Sequence, residues 1–203
     1  MKRFLLIGGI GSGKSTVSNL FLEQGAYCID LDTIGQGQLS DPCVKRELVE
    51  AFGEGILNDA SQIDRACLAA RAFASEEATA RLNAITHPSI ISMLEKRLTR
   101  GEDAGSGLCI IESSAYAGPG SVDGLDEVID GIIAVVADED VRLARAVARG
   151  MDEADVRARM ARQATDEERR IWADYVIENN GSLIELKQQV TGLYPSLTSL
   201  IDG

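Results

Sequence analysis

The chain has 203 residues, 45% of them hydrophobic, enough to bury one substantial core with a smaller lobe inserted into it. Its formal net charge of −12 lacks the basic footprint that nucleic acid requires, so the surplus carboxylates read as a solubilising surface and no nucleic-acid partner is expected. No stretch approaches a membrane span and Phe4–Ile7 is too short for a secretory leader, so a cytoplasmic protein without a membrane partner is expected.

Arg3–Ile7 reads as a buried strand, followed by a glycine-rich loop and a helix over Lys14–Gln24 that Gly25 ends. A second strand, Ala26–Leu31, closes on acidic residues. From Pro42 to Arg100 the period turns helical. Val44, Leu48, Val49 and Phe52 share a stripe, Gly53, Gly55 and Asp59 interrupt it, and the pattern resumes through Ala66–Phe73 and Ala78–Ile85. His87-Pro88 is expected to open a further helix, with Pro88 in its first turn. This excursion predicts a helical insertion over residues 36–100. Leu108–Glu112 and the β-branched Gly131–Ala137 are the third and fourth strands, parted by a glycine-containing loop over Ala117–Gly124. Asp140–Arg149 and Glu153–Gln163 read as polar helices joined at Gly150. Tyr175–Glu178 is a short last strand, and a helix over Ser182–Leu193 follows. Strands alternating with helices predict one α/β domain over residues 1–203, with a parallel five-stranded sheet between helical layers.

The cysteines, Cys28, Cys43, Cys67 and Cys109, lack paired spacing and His87 is the sole histidine, so no Cys/His metal site is expected.

Gly8-Gly9-Ile10-Gly11-Ser12-Gly13-Lys14-Ser15-Thr16 fits G-x-x-x-x-G-K-[ST], and it follows a predicted strand and opens a predicted helix. In such a P-loop the backbone N–H groups of Gly9 to Thr16 wrap the phosphates of ATP, and the helix N-terminus adds favourable potential. Lys14 is placed to reach the β- and γ-phosphates, and the Ser15 hydroxyl to hold Mg²⁺. Asp30 and Asp32 lie at the carboxyl end of the second strand, where ligands gather in a parallel sheet. Strand alternation puts both on one face, Asp32 nearer the cleft. Alone, such residues are ordinary strand-end caps; beside a P-loop, Asp32 becomes the candidate base for an acceptor hydroxyl. Arg142, Arg145 and Arg149 share a helical face, with Arg157, Arg159 and Arg162 beyond. They form either a solvated face paired with neighbouring acids or a lid over residues 140–165, in which Arg145 is the leading candidate to meet phosphate.

With these residues the chain resembles the dephospho-coenzyme A kinase family. The P-loop, Gly25-Ala26, Ile29–Asp32, Phe52-Gly53, Ile63-Asp64-Arg65 with Leu68, Phe73, Leu82-Asn83, His87-Pro88, Arg145, Gln163, Ala173-Asp174 and Val176–Gly181 all fall in the family's order. The resemblance implies a three-layer P-loop NTPase fold of the nucleotide-kinase kind. It implies ATP-dependent phosphorylation of the ribose 3′-hydroxyl of dephospho-coenzyme A. In that reading Asp32 is the base, and Lys14 and Arg145 stabilise the transferring phosphoryl group. Asn180 and Gly181 lie by the adenine of ATP. The insertion binds the acceptor through Arg65 and His87; without the family, His87 before a proline is more often a core or capping residue than a ligand. One segment departs from the family. After the third strand its apolar Asp-x-Pro-Leu-Leu-Phe-Glu-like run is replaced by Glu112-Ser113-Ser114-Ala115-Tyr116-Ala117-Gly118, leaving Glu112 as the candidate acid on the acceptor side. The alternatives are a P-loop kinase with another nucleotide-like acceptor and a non-catalytic nucleotide-binding paralogue.

Overall fold

Four successive apolar residues, Phe4 to Ile7, need cover on both faces, and each is at most 1% exposed. They form the centre of β1 (Lys2–Ile7), which pairs in parallel with β3 (Leu108–Glu112) on one side and β4 (Gly131–Val136) on the other. With β2 (Tyr27–Asp30) and β5 (Tyr175–Glu178), the computed structural model, which describes residues 1–199, gives a parallel five-stranded sheet of order β2-β3-β1-β4-β5. The expected α/β architecture is the observed one.

Strand alternation divides the core into two. Phe4, Leu6, Leu108, Ile110, Ile133 and Val135 face a layer made by α1 (Lys14–Glu23) and α9 (Leu183–Thr198), packing on Val17, Phe21, Leu186 and Val190. Leu5, Ile7, Ile111, Ile132 and Ala134 face the other way. They meet Ile34 of α2 (Leu31–Gln38), Leu94 and Leu98 of α5 (Glu76–Asp103), and Tyr116 and Leu125 from the connection after β3.

Between β2 and β3 the chain also builds α3 (Pro42–Phe52), a 3-10 turn at Glu54–Ile56 and α4 (Arg65–Ala72). Val44, Leu48, Ile56, Leu68 and Ala72 make a small separate core there, closed by Leu82 and Ile85 of α5. After β4 come α6 (Glu139–Ala148), α7 (Glu153–Met160) and α8 (Asp166–Trp172). Leu143, Ala146 and Val156 join α6 to α7, with Ile10 of the phosphate loop packed against them.

Three local expectations are corrected. The chain leaves β2 at Asp30 and enters α2 at once, because the Asp30 carboxylate accepts the Thr33 N–H (3.0 Å) and hydroxyl (2.7 Å) as a helix N-cap. Asp32 is therefore a first-turn helix residue and not a strand residue sharing a face with Asp30. Secondly, His87-Pro88 opens no helix: α5 runs through it for 28 residues. The carbonyl that Pro88 leaves unpaired belongs to Ala84, and both residues lie on the exposed side of the helix, where water meets the loss. Thirdly, α8 occupies a stretch read as connection, and α9 runs past Leu193 to Thr198.

β1 lies between β3 and β4, while the chain runs from β1 to the far edge strand β2. The crevice outside the carboxyl ends of β1 and β3 is the place such a sheet offers a ligand. No helix among the described residues is long and apolar enough to cross a membrane.

Candidate active site

The turn from β1 into α1 is closed by the Ser12 N–H on the Gly9 carbonyl (3.1 Å). Gly11 and Gly13 have φ of +76° and +98°, the left-handed region that only glycine enters cheaply. Neither has room for a side chain: a Cβ on Gly11 would lie 2.1 Å from the Arg142 carbonyl, and one on Gly13 2.2 Å from the Asn179 amide nitrogen. That amide donates to the Ser12 carbonyl (2.7 Å), and Arg145 donates to the Asn179 carbonyl (2.7 Å). The loop is thus clamped between the ends of β1 and β5. Gly13 precedes α1 without any side chain capping the helix, so its first N–H groups stay available to an anion.

Lys14 follows the last glycine and is 8% exposed. Burial holds its ammonium below the ordinary 10.5, while the carboxylates of Glu112 and Asp32 act to raise it. Ser15 donates its hydroxyl to Glu112 (2.8 Å). Across the crevice, Asp32 accepts the Ser114 N–H with both oxygens, at 3.0 and 3.3 Å. The parallel pairing of β2 with β3 explains the meeting: Asp30 pairs with Glu112 at the strand ends, so the segments that leave the two strands, carrying Asp32 and Ser114, start side by side.

A second wall comes from the helices after β4. A Cβ on Gly9 would meet an Arg142 guanidinium nitrogen at 2.0 Å and an Arg169 nitrogen at 3.3 Å, so both cations lie against the loop. They are buried, and Asp166 holds them, 2.8 Å from Arg169 and 3.6 Å from Arg142. Burial lowers the Arg169 pKa, and the Asp166 carboxylate opposes that. Gln163 completes the wall by accepting the Ile10 N–H (2.9 Å).

Lys14, Ser15, Glu112 and Asp32 are therefore brought together. Arg145, expected over the transferring phosphoryl group, instead lines a hollow with Gly13, Thr16, Arg149, Gly181 and Leu183 on the opposite side of the loop. Asn180, next to Gly181, exchanges hydrogen bonds with Asp138 (2.7 and 3.0 Å). Arg65 pairs with Gln36 (2.9 Å) on the helical lobe. His87 is 7% exposed, and its Nδ1 accepts the Asp123 N–H (3.1 Å), anchoring the connection after β3 to α5. In that divergent connection Tyr116 donates to Asp126 (3.0 Å) and packs edge-on against Trp172, at 6.1 Å between centroids.

Sequence reasoning passed over Ser114, Asp166, Arg169 and Asn179. A signal for two of them was present: Thr165-Asp166-Glu167-Glu168 is a capping box, and it opens α8, which carries Asp166 and Arg169. Ser114 meets Asp32 because two strand ends are neighbours, and Asn179 meets a carbonyl 167 residues away, which no local pattern announces.

Among the described residues no three His, Cys, Asp or Glu side chains stand together as a metal cage. Ser15 and Glu112 are hard oxygen donors on the phosphate side of the crevice, a donor set that fits Mg²⁺ completed by substrate phosphates and water.

Comparison with known proteins finds relatives over nearly the whole chain. The dephospho-CoA kinase family profile matches residues 4–185. The dephospho-CoA kinase of Corynebacterium efficiens is 44% identical, over 99% of this chain and 100% of its own. A crystal structure of a Thermus thermophilus protein superposes with a TM-score of 0.82 at 30% identity, covering 97% of this chain and 98% of that one. The dephospho-CoA kinase of Campylobacter jejuni shares the fold, with a TM-score of 0.69 at 22% identity and 98% of both chains covered. The chain belongs to the dephospho-CoA kinase family.

Proposed function

We propose that this protein transfers the γ-phosphoryl group of ATP to the ribose 3′-hydroxyl of dephospho-coenzyme A, giving coenzyme A and ADP. The observation that carries the reading is the Asp32 carboxylate, fixed by the Ser114 N–H and facing the P-loop lysine in a chain that matches the family almost end to end.

ATP lies with its phosphates on the Gly9–Thr16 backbone and the N-terminus of α1, and its adenine lies by the hollow that Arg145 and Gly181 line, with Asn180 adjacent in sequence. Asp32 takes the proton of the 3′-hydroxyl as that oxygen attacks the γ-phosphorus; the bond to the β-phosphate oxygen breaks and ADP leaves. Lys14 meets the developing charge from below. Arg142 and Arg169 meet it from above, the part first assigned to Arg145. Ser15 and Glu112 would hold Mg²⁺ together with ATP, and the ion would supply positive charge to offset that of the phosphates. The helices over residues 140–165, extended by α8, act as the lid. The lobe over residues 36–100 holds the acceptor with Arg65, while His87 positions the loop that carries Ser114.

A coupled assay of ADP release with Mg-ATP and dephospho-coenzyme A, with product mass, tests this. A product heavier by one phosphoryl group is expected. ADP release that does not depend on the acceptor would leave only nucleotide hydrolysis and overturn the assignment.

A further inference from the structure

Two aromatic rings join the opposite walls of the crevice. On the acceptor side, Ser113 donates its N–H to the Leu6 carbonyl of β1 (3.1 Å), and the next N–H, that of Ser114, holds Asp32. Two residues further on, Tyr116 turns into the core and is 5% exposed. Its hydroxyl donates to Asp126, whose other oxygen accepts the Gly120 N–H, so the ring is fixed within its own connection. On the phosphate side stands α8, which carries Asp166 and Arg169.

A helix of 7 residues is too short to stand alone in water, so α8 depends on what it packs against. Of its two large apolar side chains, Ile171 is 81% exposed, while Trp172 packs on the core beneath the sheet. Trp172 follows Arg169 by three residues, so the two share a helical face at a rise of about 4.5 Å. The other anchors of α8 belong to the phosphate side: Asp166 accepts the Ala137 N–H (3.2 Å), and beyond the helix Asp174 accepts the Ile132 N–H of β4 (2.8 Å). Trp172 reaches across instead. Its indole meets the Tyr116 ring at 85°, and a Cβ on Gly118 would stand 3.0 Å from it.

Phosphoryl transfer needs the acceptor oxygen and the phosphoryl group at a set separation, and a misplacement of about 1 Å costs on the order of 100-fold in rate. Asp32 is held through Ser114, and Arg169 through α8. On this basis, and resting on the function proposed above, we propose that Tyr116 and Trp172 are positioning residues. Contact of their rings sets the wall that carries Arg169 at its working distance from the segment that holds Asp32, and it transmits occupancy of the acceptor side to the phosphate side. An apolar side chain at 116 would fill the core equally well; only a ring presents the edge that Trp172 meets.

Trp172 is the sole tryptophan of the chain, so its emission reports on this contact. In wild type, dephospho-coenzyme A and a non-hydrolysable ATP analogue, each added alone, are expected to change that emission saturably. In Tyr116→Leu the response to dephospho-coenzyme A is lost and the response to the nucleotide stays, since Trp172 still rides on the helix of Arg169. The kcat of this variant falls on the order of 10- to 100-fold, with KM for ATP near the wild-type value. Tyr116→Phe, which keeps the ring, recovers both the response and kcat. Trp172→Leu lowers kcat to the same degree, and the double variant lowers it no further, because one contact is lost in all three. Where Tyr116→Leu does not fold, Trp172→Leu, with Trp172→Phe as the ring-keeping control, reads the same fall in kcat and its recovery. A wild-type emission that dephospho-coenzyme A leaves unchanged, a response that Tyr116→Leu retains, an unaltered kcat in either leucine variant, or losses that multiply in the double variant overturn the positioning role. If wild type turns over dephospho-coenzyme A in any of these cases, the proposed function stands. Absence of turnover in wild type overturns the proposed function, and the positioning role with it.

Discussion

Asp32 is oriented before any substrate arrives, since the Ser114 N–H bonds both of its oxygens and α2 places it at a helix N-terminus, where negative charge is favoured. Asp32→Asn keeps an oxygen for that N–H and loses only the basic group. Turnover is expected to fall about 10²- to 10⁴-fold with ATP affinity unchanged, read by steady-state kinetics and nucleotide titration. Wild-type turnover in this variant would remove Asp32 from the chemistry. The arginines separate by position. Arg142→Ala and Arg169→Ala are expected to lower kcat about 10²- to 10³-fold each, because both guanidinium groups lie against Gly9. Arg145→Ala is expected chiefly to raise KM for ATP, because that side chain lines the hollow beside Gly13 and Gly181. An equal fall in kcat for Arg145→Ala would return it to the phosphoryl group.

At the scale of elements, short helices here depend on their caps. α8 has only 7 residues, opened by the Thr165–Glu168 capping box, and α9 opens with an equivalent box at Ser182–Glu185. Thr165→Ala and Ser182→Ala are each expected to cost about 1 kcal/mol, measured by denaturant titration. Their effects on catalysis differ, since α8 carries Arg169 and Asp166 and α9 carries no phosphate contact. Thr165→Ala is expected to lower kcat and Ser182→Ala to leave it near wild type; equal kcat for the two would mean that α8 does not position Arg169. The same dependence on caps explains what pattern reading found here. The P-loop was legible because strand, glycines, lysine and helix are consecutive and each needs only its neighbours. α2 was not, because its two internal glycines mask it and its start is an Asp30 cap that also ends a strand. α5 was read as broken at Pro88, since whether a proline ends a helix depends on which side of it water reaches, a tertiary matter.

For the whole molecule, the carboxylates tied into helix caps set the acid limit. Backbone N–H groups hold Asp64 below its ordinary 3.8, and Glu168 and Glu185 below their ordinary 4.5. A folded-state pKa below the unfolded one stabilises fully above the unfolded value, and the contribution is lost as pH falls through the folded one. The melting temperature is therefore expected to drop as pH falls below about 4.5. In a Glu168→Gln/Glu185→Gln protein, whose amides keep the caps but do not titrate, the drop is shallower. An identical pH dependence would exclude these two groups as its source.

The sequence by itself determined the alternation of strands and helices, the phosphate loop and the acidic close of the second strand. Each rests on residues close along the chain, where hydrophobic period and glycine placement act directly. Only the tertiary structure decided which residues surround that loop. The pairing of β2 with β3 sets the strand ends side by side and so brings Ser114 to Asp32, and the packing of α6 and α8 lays Arg142 and Arg169 over Gly9 while turning Arg145 toward β5. Arginines three apart on one helix look equivalent in a periodicity; the difference lies in what each meets across the fold, and that is set by how the sheet and its covering helices close together.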